Sequence, residues 1–499
     1  MKKMEFEGYN PFTLALAGIT AVSVAYLGYV LFFYGSLEGY LDHVEPNIAI
    51  SSWRFLGGHS LFQGLDEWPK LGSYGPLLYL IHSTAFKLGG GSVLVSKFAA
   101  LAVSAGSVLI FFCYAYTRFG ALKAYVGVLL FIAITLLFSP YSFWNRPDPF
   151  TVFLVTLAVF AKNLPADRWG RWAPHAVVGI CIGLTVNLKV HSFIYFIPVV
   201  VDLCGWKNIR EMIVIGLISI AVFLLPFAHP QISLAKYLDR MFGTLSIRGG
   251  LDTGMLVTSF RYSLFFYSPA LLLAGLLARG RNHVDGKCAI YFAALAVSTT
   301  IALYPASIIG TGPYHLLPLI AVTIDSMLRF TGGYDDMPRL QKGIFVLIPV
   351  IFLTVSLPVQ RRLMRNMERI AAENAAGEIH KIIKEHEDET VQMGYGETFE
   401  GYRLSFYKPI LIFAGQPGTV DAQEAMEFQS IGYDFTGRFT AQLERCETRH
   451  WLIPKGETPF MMQSYYQSVS LFGGAAEVFQ EKYTKAETLD HFDLWSCRD

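Results

Sequence analysis

The residues best suited to acid–base chemistry follow the first apolar segment of the chain. Asp42, His43 and Glu45 stand close together, soon after an apolar stretch that runs from about Pro11 to Tyr34. A carboxylate near a membrane is costly unless it is paired or functional, and a carboxylate base can accept the proton of an attacking hydroxyl group. We therefore predict catalytic roles for Glu45 and Asp42. The alternative is a solvated loop that carries ordinary acidic residues.

A second set of charged residues interrupts apolar segments further along the chain. Arg146 and Asp148 lie in the sequence Trp-Asn-Arg-Pro-Asp-Pro-Phe, and Lys189 and His191 break an otherwise apolar stretch. Arginine and lysine bind phosphate oxygens through charge-assisted hydrogen bonds and stabilise a departing anion. These four residues are therefore candidates for binding a phosphate group. Alternatively, Arg146 only pairs with Asp148, and Lys189 only extends its ammonium group to the membrane interface.

Three further ring side chains are candidates for substrate binding. Tyr314 and His315 open an apolar segment in the sequence Pro-Tyr-His-Leu-Leu-Pro, and His59 lies in the first polar loop. Phenol and imidazole groups can both donate and accept hydrogen bonds with a polar substrate. The alternative for the two histidines is a structural role with satisfied hydrogen bonds.

The elements that position these residues are predicted to be membrane helices. Hydrophobic residues make up 53% of the chain and charged residues 16%, whereas a soluble domain has about 25% charged residues. Windows long enough to cross a bilayer, roughly 17–25 residues, predict a mainly α-helical, polytopic bundle of about eleven helices. Several windows are short, as is typical of helices that line a cavity. The windows lie near residues 12–34, 92–116, 122–139, 149–161, 174–188, 192–204, 212–228, 263–278, 288–305, 314–328 and 343–359.

Charged residues between these windows predict the orientation of the chain. Loops on one side are short and basic, as the positive-inside rule requires of cytoplasmic loops, and the alternate loops hold acidic residues. All candidate site residues are therefore expected on the extracytoplasmic face. The basic residues are Arg118, Lys123, Lys162, Arg168, Arg171, Lys207, Arg210, Arg279, Arg281, Lys287, Arg329, Arg339 and Lys342; the acidic ones are Asp42, Glu45, Asp66, Glu67, Asp148, Asp239 and Asp252.

The last part of the chain is predicted to be a separate extracytoplasmic domain. We divide the chain into a transmembrane domain, residues 1–359, and a soluble α/β domain, residues 360–499. The charged run from Gln360 to His386 predicts a helix, and residues 390–393 and 409–415 predict strands.

Cysteine placement predicts a disulfide and no metal site. Cys446 and Cys497 lie in the extracytoplasmic part, where the compartment is oxidising, so a bond between them is expected. The alternative is two unpaired thiols. None of the six cysteines has the spacing of a metal site. The sequence has no basic run with interleaved aromatic residues, so no nucleic-acid partner is expected.

The motif of the first loop resembles that of the GT-C fold membrane glycosyltransferases, which use polyprenyl-phosphate sugars. This group includes the lipid A aminoarabinose transferases and the protein O-mannosyltransferases. Its members carry an acidic motif in the first extracytoplasmic loop, then an Ala, a Gly and a Pro-Leu pair. In this chain the order is Glu45, Ala49, Gly57 and Pro76-Leu77.

The chain also departs from the family pattern. An adjacent Asp-Glu pair is usual, but Val44 precedes Glu45 here and the second acid is Asp42. Spacing to Ala49 favours Glu45 as the base. Pro46 restricts Glu45 to an extended or turn conformation and suits the first turn of an amphipathic helix.

The later motifs resemble those of the same family. They follow the family's order along the chain and are predicted to lie on the same side of the membrane. Similar enzymes have an arginine and an acid where this chain has Arg146 and Asp148, and a lysine before an apolar run ending in proline, here Lys189 and Pro198. The segment beginning at Tyr314 resembles the family's Tyr-Leu-Leu-Pro signature. The resemblance spans the membrane region.

The resemblance implies an integral membrane glycosyltransferase. It would transfer a sugar from a polyprenyl-phosphate donor to a glycan, lipid or protein acceptor by inverting displacement, on the extracytoplasmic face of the membrane. The absence of an Asn-x-Ser/Thr sequon and the compact loops favour a bacterial inner membrane, with the active site on its periplasmic face. No cofactor is expected; a divalent cation on the acidic loops, as in related oligosaccharyltransferases, is the less favoured alternative. A transporter or flippase of lipid-linked sugars is the other class, and it predicts inverted repeats, which the sequence does not show.

Overall fold

The computed structural model of the chain describes residues 11–63, 74–247, 250–278, 286–308, 310–331, 339–418, 425, 429, 432–462 and 474–498. These residues are mainly helical and fall into two compact units. The first, here called the helical unit, comprises Met1–Tyr34, Ala100–Leu225 and Gly250–Arg365. The second, here called the mixed unit, comprises Gly35–Ala99, Pro226–Gly249 and Asn366–Asp499.

Long apolar helices supply most of the helical unit. Five segments within the described residues are long and apolar enough to cross a membrane, and four shorter apolar segments accompany them. The prediction of about eleven membrane helices therefore stays a prediction as to number. The helices with residues in this unit are Pro11–Ser36, Val93–Phe119, Ala121–Leu137, Pro147–Ala161, Ala166–Trp169, Ala173–Val186, Ile197–Cys204, Ile209–Leu224, Thr253–Ala278, Gly286–Ala306, Ile320–Phe330 and Arg339–Glu373, with 3-10 helices Val190–Phe196, Leu225–Ala228 and Pro313–Leu319.

Two of the predicted windows contain breaks rather than single α-helices. The segment Val190–Phe196 is a 3-10 helix before Ile197–Cys204, and Pro313–Leu319 is a 3-10 helix before Ile320–Phe330. Each change of helix type falls next to a proline, Pro198 or Pro318, which lacks the amide hydrogen that would continue the preceding turns. These breaks place Lys189 and Tyr314 at the starts of short segments instead of inside continuous helices.

A buried network of charges joins four segments of the helical unit. The ammonium group of Lys162 lies 2.7 Å from a carboxylate oxygen of Asp325 and 3.0 Å from one of Asp202. Arg329 contacts Asp325 at 3.1 Å and Asp202 at 2.9 Å, and the Tyr291 hydroxyl donates to Asp325. Two cations and two carboxylates balance each other. Lys162 and Arg329, which the loop pattern treats as topology signals, are thus also structural residues.

The mixed unit combines helices from three parts of the chain with a small sheet. Its four strands are β1 Val391–Met393, β2 His450–Pro454, β3 Tyr483–Thr488 and β4 Phe492–Cys497, in the order β1-β2-β4-β3. The β1–β2 pair is parallel and the other two pairs are antiparallel. Its helices are Val44–Leu56, Pro76–Gly89, Leu234–Ile247, Ala375–Glu385, Phe399–Leu404, Lys408–Phe413, Thr436–Glu444 and Ala475–Lys482, with a 3-10 helix Ser405–Tyr407.

The core of the mixed unit includes side chains from both the first loop and the C-terminal part. Trp53 and Phe86, from two helices of the first loop, pack against Phe413 with ring centroids 5.6 Å and 5.2 Å away. Phe413 ends the helix Lys408–Phe413, whereas residues 409–415 were predicted to form a strand. That prediction is wrong. Pro409 stands in the first turn, a position that favours a helix start, and packing overrides the β-propensity of the apolar run.

One helix crosses the predicted domain boundary. The helix Arg339–Glu373 continues through residues 359 and 360 and ends before Asn374, which has a left-handed backbone with φ 49°. The charged run from Gln360 is therefore two helices, the end of this one and Ala375–Glu385. The division into a transmembrane domain, residues 1–359, and a soluble domain, residues 360–499, stays a prediction. The two compact units are defined by their internal packing, which does not locate the membrane surface.

The predicted disulfide is confirmed. Cys446 and Cys497 are bonded, with their Cα atoms 6.0 Å apart, and the bond joins the end of a helix to the end of β4. Arg279, Arg281, Asp66 and Glu67, which contribute to the predicted charge asymmetry, lie outside the described residues.

Candidate active site

The acidic loop is organised around Glu45, in the mixed unit. Glu45 lies in the first turn of the helix Val44–Leu56, as predicted, and its side chain is fully buried. One carboxylate oxygen accepts hydrogen bonds from the backbone amides of Leu41 and Asp42, at 2.9 Å and 3.1 Å. Glu45 therefore fixes the turn that leads into the helix. An ionised carboxylate at a helix N-terminus is also favoured by the helix dipole.

Asp42 is the more accessible of the two acids. Its side chain is 18% exposed, and one oxygen accepts a hydrogen bond from the Val44 amide at 2.9 Å. The other oxygen lies 3.5 Å from the His43 imidazole. The two carboxylates thus have different surroundings: Glu45 holds the backbone of the loop, while Asp42 presents its side chain at the surface of the mixed unit.

Lys97 is a residue of this loop region that sequence reasoning missed. It is fully buried, and its ammonium group donates to the carbonyls of Leu37 and Gly39 at 2.8 Å and 2.6 Å. Its charge also attracts that of Glu45. A lysine inside the apolar window 92–116 was the available signal. Lys97 thereby holds the backbone at the start of the first loop in place.

The predicted phosphate-binding residues form one buried cluster in the helical unit. The ammonium group of Lys189 lies 2.6 Å from a carboxylate oxygen of Asp148, and Arg146 lies 3.9 Å from the other oxygen. Arg146 also donates to the Tyr314 hydroxyl at 3.3 Å. All four side chains are less than a tenth exposed. Lys189 is therefore an ion-paired residue of the protein interior.

Aromatic rings surround the cations of this cluster. The guanidinium carbon of Arg146 lies 4.2 Å from the centre of the Trp144 ring, and the Lys189 ammonium lies 5.4 Å from that of Tyr314. Tyr141 stacks on Tyr314 with a centroid distance of 4.5 Å. Tyr141 and Trp144 were not predicted as site residues; their place beside Arg146 in sequence was the only signal. Desolvated cation–π contacts strengthen as water is excluded, so the rings hold the cations in fixed positions.

The histidines predicted for the site fall into two groups. The rings of His191 and His315 lie 5.3 Å apart, and His315 packs on Tyr314 at 4.7 Å. These two residues border the cationic cluster. His59 belongs to the mixed unit and is exposed. The structure therefore brings together Arg146, Asp148, Lys189, His191, Tyr314 and His315 in the helical unit, while Asp42, Glu45 and His59 belong to the mixed unit.

Local sequence explains how the cluster is positioned. Arg146 is the extended residue before the helix Pro147–Ala161, whose first position is a proline, and Asp148 lies in the first turn of that helix. Lys189 precedes the 3-10 helix Val190–Phe196, and Tyr314 lies in the first turn of Pro313–Leu319. Each of these candidate side chains therefore stands at the start of an element, where proline or an extended backbone ends the preceding segment.

A cavity opens beside the acidic loop within the mixed unit. It has a volume of about 360 Å³, and Leu41 contributes to its lining. Three cationic side chains also line it: Arg369, Arg403 and Lys455. Arg369 and Arg403 both pair with Glu400, at 3.6 Å and 3.1 Å. The cavity is partly open, and its lining combines charged side chains with apolar ones such as Ile370 and Phe406.

Comparison with solved structures identifies the fold. The chain is similar to crystal structures of ArnT from Cupriavidus metallidurans bound to undecaprenyl phosphate and in the apo state, with TM-scores of 0.60 and 0.59 and 12% sequence identity to each. The alignments cover 96% and 97% of this chain and 98% of ArnT in both cases. Arabinosyltransferase EmbB from Mycobacterium smegmatis also matches, at a TM-score of 0.44, 11% identity, and coverage of 74% of this chain and 40% of EmbB.

The sequence itself matches no protein-family model, and no curated protein matches it. The likeness to ArnT nevertheless extends over nearly the whole chain, so the chain has the GT-C fold. The fold predicted from the acidic loop and the later motifs is confirmed. Together with its long apolar helices, this makes the chain an integral, multi-pass membrane protein.

Proposed function

We propose that the chain is a membrane glycosyltransferase that transfers a sugar from a polyprenyl-phosphate donor to an extracytoplasmic acceptor, with inversion at the anomeric carbon. The observation that carries the proposal is the buried cluster of Arg146, Lys189, Asp148 and Tyr314. The GT-C fold supports it, because ArnT, which shares the fold, has been crystallised bound to undecaprenyl phosphate.

The charge of the cluster supports binding of a lipid phosphate. Arg146 and Lys189 carry two positive charges against the one negative charge of Asp148, and the Tyr314 hydroxyl can donate a hydrogen bond. A phosphate group that enters this site would meet cations already held in place by aromatic rings and an ion pair. Preorganised donors in a water-excluded site stabilise a developing anion more strongly than solvent does.

The proposed reaction is a single displacement. The acceptor hydroxyl oxygen bonds to the anomeric carbon of the donor sugar, the bond from that carbon to the phosphate oxygen breaks, and polyprenyl phosphate departs. The hydroxyl proton passes to a carboxylate of the acidic loop. Arg146 and Lys189 stabilise the departing phosphate, which needs no proton to leave. As proposed, the reaction uses no metal ion or other cofactor.

The environments of the two acids refine the choice of base. Glu45 was predicted to be the base, but it is fully buried and engaged by two backbone amides. A base must reach its substrate within hydrogen-bond distance. Exposure therefore favours Asp42 as the group that receives the proton, with Glu45 and Lys97 as positioning residues for the loop. We propose this order of roles in place of the predicted one.

The acceptor is proposed to use the cavity beside the acidic loop. Leu41, whose amide is bonded to Glu45, lines that cavity, so an acceptor held there lies next to the residues that supply the base. Its charged side chains can bind the polar groups of a glycan, lipid headgroup or protein segment, and its apolar side chains can pack against the rest of the acceptor. Orientation with this loop outside the cytoplasm, in a bacterial inner membrane, is part of the proposal.

Binding of the phosphate carrier tests the proposal directly. The full chain in detergent micelles is titrated with undecaprenyl phosphate, and undecaprenol, which has the same tail without the phosphate, serves as the matched control ligand. We expect saturable binding of the phosphate form at least tenfold tighter than that of undecaprenol. Equal affinity for both lipids would contradict a phosphate site.

Product analysis separates the enzyme from a flippase. The protein is incubated with polyprenyl-phosphate sugars and a membrane extract as the acceptor source, and release of undecaprenyl phosphate and sugar-modified product is followed by mass spectrometry. A transferase cleaves the donor. A flippase moves labelled donor across a vesicle membrane and leaves it intact, and that outcome would replace the proposed function.

A further inference from the structure

Two histidines and a glutamate meet in the mixed unit, in a group that the proposed reaction does not use. The imidazole Nδ1 of His386 and the Nε2 of His450 lie 2.8 Å and 2.7 Å from the same carboxylate oxygen of Glu389. The two rings are 4.1 Å apart between centroids. The three ligand atoms all lie within 4.8 Å of one another. His386 and Glu389 are three residues apart, but His450 follows Glu389 by 61 residues, so no spacing motif pointed to the group.

The backbone around this group is held by hydrogen bonds. His386 directly follows the helix Ala375–Glu385, and the Glu389 amide donates to its carbonyl at 3.1 Å. The His450 amide donates to the Thr390 carbonyl at 2.9 Å, and the Thr390 hydroxyl donates to the Glu447 carbonyl at 3.2 Å. The short segment from His386 to Thr390 is therefore fastened along β2, and the three side chains converge without a rearrangement of the chain.

His450 has the support that metal-binding histidines usually have. Its Nδ1 lies 2.9 Å from the hydroxyl of Ser496, which stands opposite it in the register of β2 and β4. A hydrogen bond at one ring nitrogen fixes the ring and leaves the other nitrogen as a ligand. Here that bond points Nε2 towards Glu389 and His386. The His450 side chain is buried, while those of His386 and Glu389 are 23% and 43% exposed.

We propose that His386, Glu389 and His450 bind a Zn²⁺ ion, with water in the remaining position. Two imidazoles and a carboxylate are a common ligand set for zinc, with metal–ligand bonds of about 2.0–2.2 Å. Tetrahedral ligands at that distance are about 3.3–3.6 Å apart, so each histidine nitrogen, now 2.8 Å or 2.7 Å from the Glu389 oxygen, needs to move away from it by roughly half an ångström or slightly more. The exposed side of Glu389 and His386 provides the entry path.

The proposed ion has a structural role in the fold. It joins the segment after the helix Ala375–Glu385 to β2, at the edge of the sheet where β1 and β2 are parallel. The Cys446–Cys497 disulfide fastens the neighbouring end of β4. Metal and disulfide would thus restrain the same small sheet from two strands. This inference is independent of the transferase reaction.

A second group with similar ligands is a weaker candidate. His175, Cys204 and Glu211 also bring ligand atoms close together, in the helical unit. Glu211 is already bonded to Arg171 at 3.0 Å and to His175 at 3.1 Å. The cation of Arg171 competes directly for that carboxylate, whereas the contacts of Glu389 to histidine are ones that an ion can replace.

Zinc binding to the full chain in detergent tests the proposal. Protein stripped with a chelator is dialysed against Zn²⁺ alone, bound metal is measured by mass spectrometry, and its ligands by X-ray absorption. We expect one tightly bound ion with nitrogen and oxygen ligands and no sulfur. His450→Ala and Glu389→Gln should abolish tight binding, and Ser496→Ala should weaken it about 10–100-fold, as loss of a supporting hydrogen bond does.

A matched control is available at His491. Its Nδ1 lies 2.9 Å from a carboxylate oxygen of Glu378. Among the described residues, this histidine–carboxylate pair belongs to no group of three possible metal ligands, so His491→Ala should bind zinc as the parent does. Zinc should also raise the melting temperature of the parent and of His491→Ala, but not that of Glu389→Gln. Because the Glu389 side chain is exposed, this substitution should not cause misfolding, so a missing zinc effect would reflect loss of the ligand. No tight zinc in the parent, or unchanged zinc in His450→Ala, would overturn the proposal.

Discussion

At the residue scale, the pairing of Lys189 with Asp148 determines how the phosphate site can be tested. Both side chains are buried and 2.6 Å apart. Removing one member of such a pair destabilises a protein by about 3–5 kcal/mol, because the remaining charge is left in a poor environment. A single alanine substitution at Lys189 would therefore mix folding with binding.

The double variant Lys189→Met with Asp148→Asn removes both charges together and avoids that problem. We expect it to remain folded and to bind undecaprenyl phosphate about 10–100-fold more weakly, since a hydrogen bond to a charged group contributes about 1.5–3 kcal/mol. Fluorescence titration measures the change. The control is Arg171→Gln with Glu211→Gln, which likewise removes a cation, here 72% exposed, and its carboxylate partner 3.0 Å away; equal weakening in both would show that the effect is not specific to the Lys189–Asp148 pair.

Asp42 and Glu45 can be separated by isosteric amides. Asp42→Asn is expected to lower kcat about 10²–10⁴-fold with unchanged donor affinity, as loss of a general base does. Glu45→Gln should mainly lower thermal stability, because its carboxylate holds the amides of Leu41 and Asp42. Steady-state kinetics and melting curves of both variants give the result. A folded, inactive Glu45→Gln beside an active Asp42→Asn would restore the sequence-based assignment.

At the scale of elements, Asp325 stabilises the packing of several helices at once. It accepts hydrogen bonds or ion pairs from Tyr114, Lys162, Tyr291 and Arg329. Asp325→Asn leaves buried cations with less compensation, so we expect a loss of about 3–5 kcal/mol in unfolding free energy. Unfolding in mixed micelles measures it. The exposed variant Arg171→Gln should cost no more than about 1 kcal/mol; similar losses in both would contradict the network's role.

The strand β4 contains the buried carboxylate of Asp493, which makes the stability of the protein depend on pH. Burial alone raises the pKa of Asp493, but Lys485 at 2.6 Å, the Gly456 amide and the Thr488 hydroxyl outweigh it and hold that pKa below its ordinary value. Stability from a depressed pKa is present above the unfolded pKa, about 3.9, and is lost as the pH falls through the folded pKa.

Asp493→Asn should therefore be clearly less stable than the parent at pH 7, and the difference should shrink as the pH falls below about 4. Melting temperatures across this range test the expectation. Asp490→Asn, on the exposed turn nearby, should change stability by less than about 0.5 kcal/mol. A deficit of Asp493→Asn that stays constant down to pH 3 would show that the carboxylate charge does not contribute.

At the scale of the whole molecule, the orientation in the membrane is a prediction from the charged loops. Ser60 and Asp167 are exposed, and the loop pattern assigns them to opposite sides. In a background without the free cysteines, Ser60→Cys should react with an impermeant thiol reagent added to intact cells, and Asp167→Cys only after lysis. The reverse labelling pattern would invert the topology and exclude an extracytoplasmic acidic loop.

Some parts of the fold could be predicted from sequence because their signals are local. Glu45 before Pro46 predicted a helix start, and the cysteines predicted the disulfide. The pairing of Lys189 with Asp148, and the role of Lys97, could not be derived, since they depend on helices distant in the chain. The helix ending at Phe413 was missed for a related reason: its packing on Trp53 and Phe86 outweighs local propensity.

The paired state of Lys162 has a consequence for how the protein is made. Its partners, Asp202 and Asp325, follow it in the chain and emerge from the ribosome later. In the nascent polypeptide Lys162 is therefore an uncompensated cation, able to help retain its loop on the side that the positive-inside rule predicts to be cytoplasmic. Once the later helices arrive, the same ammonium group becomes part of the interior network in which two cations balance two carboxylates. A single side chain can thus serve first in membrane insertion and afterwards in the folded structure.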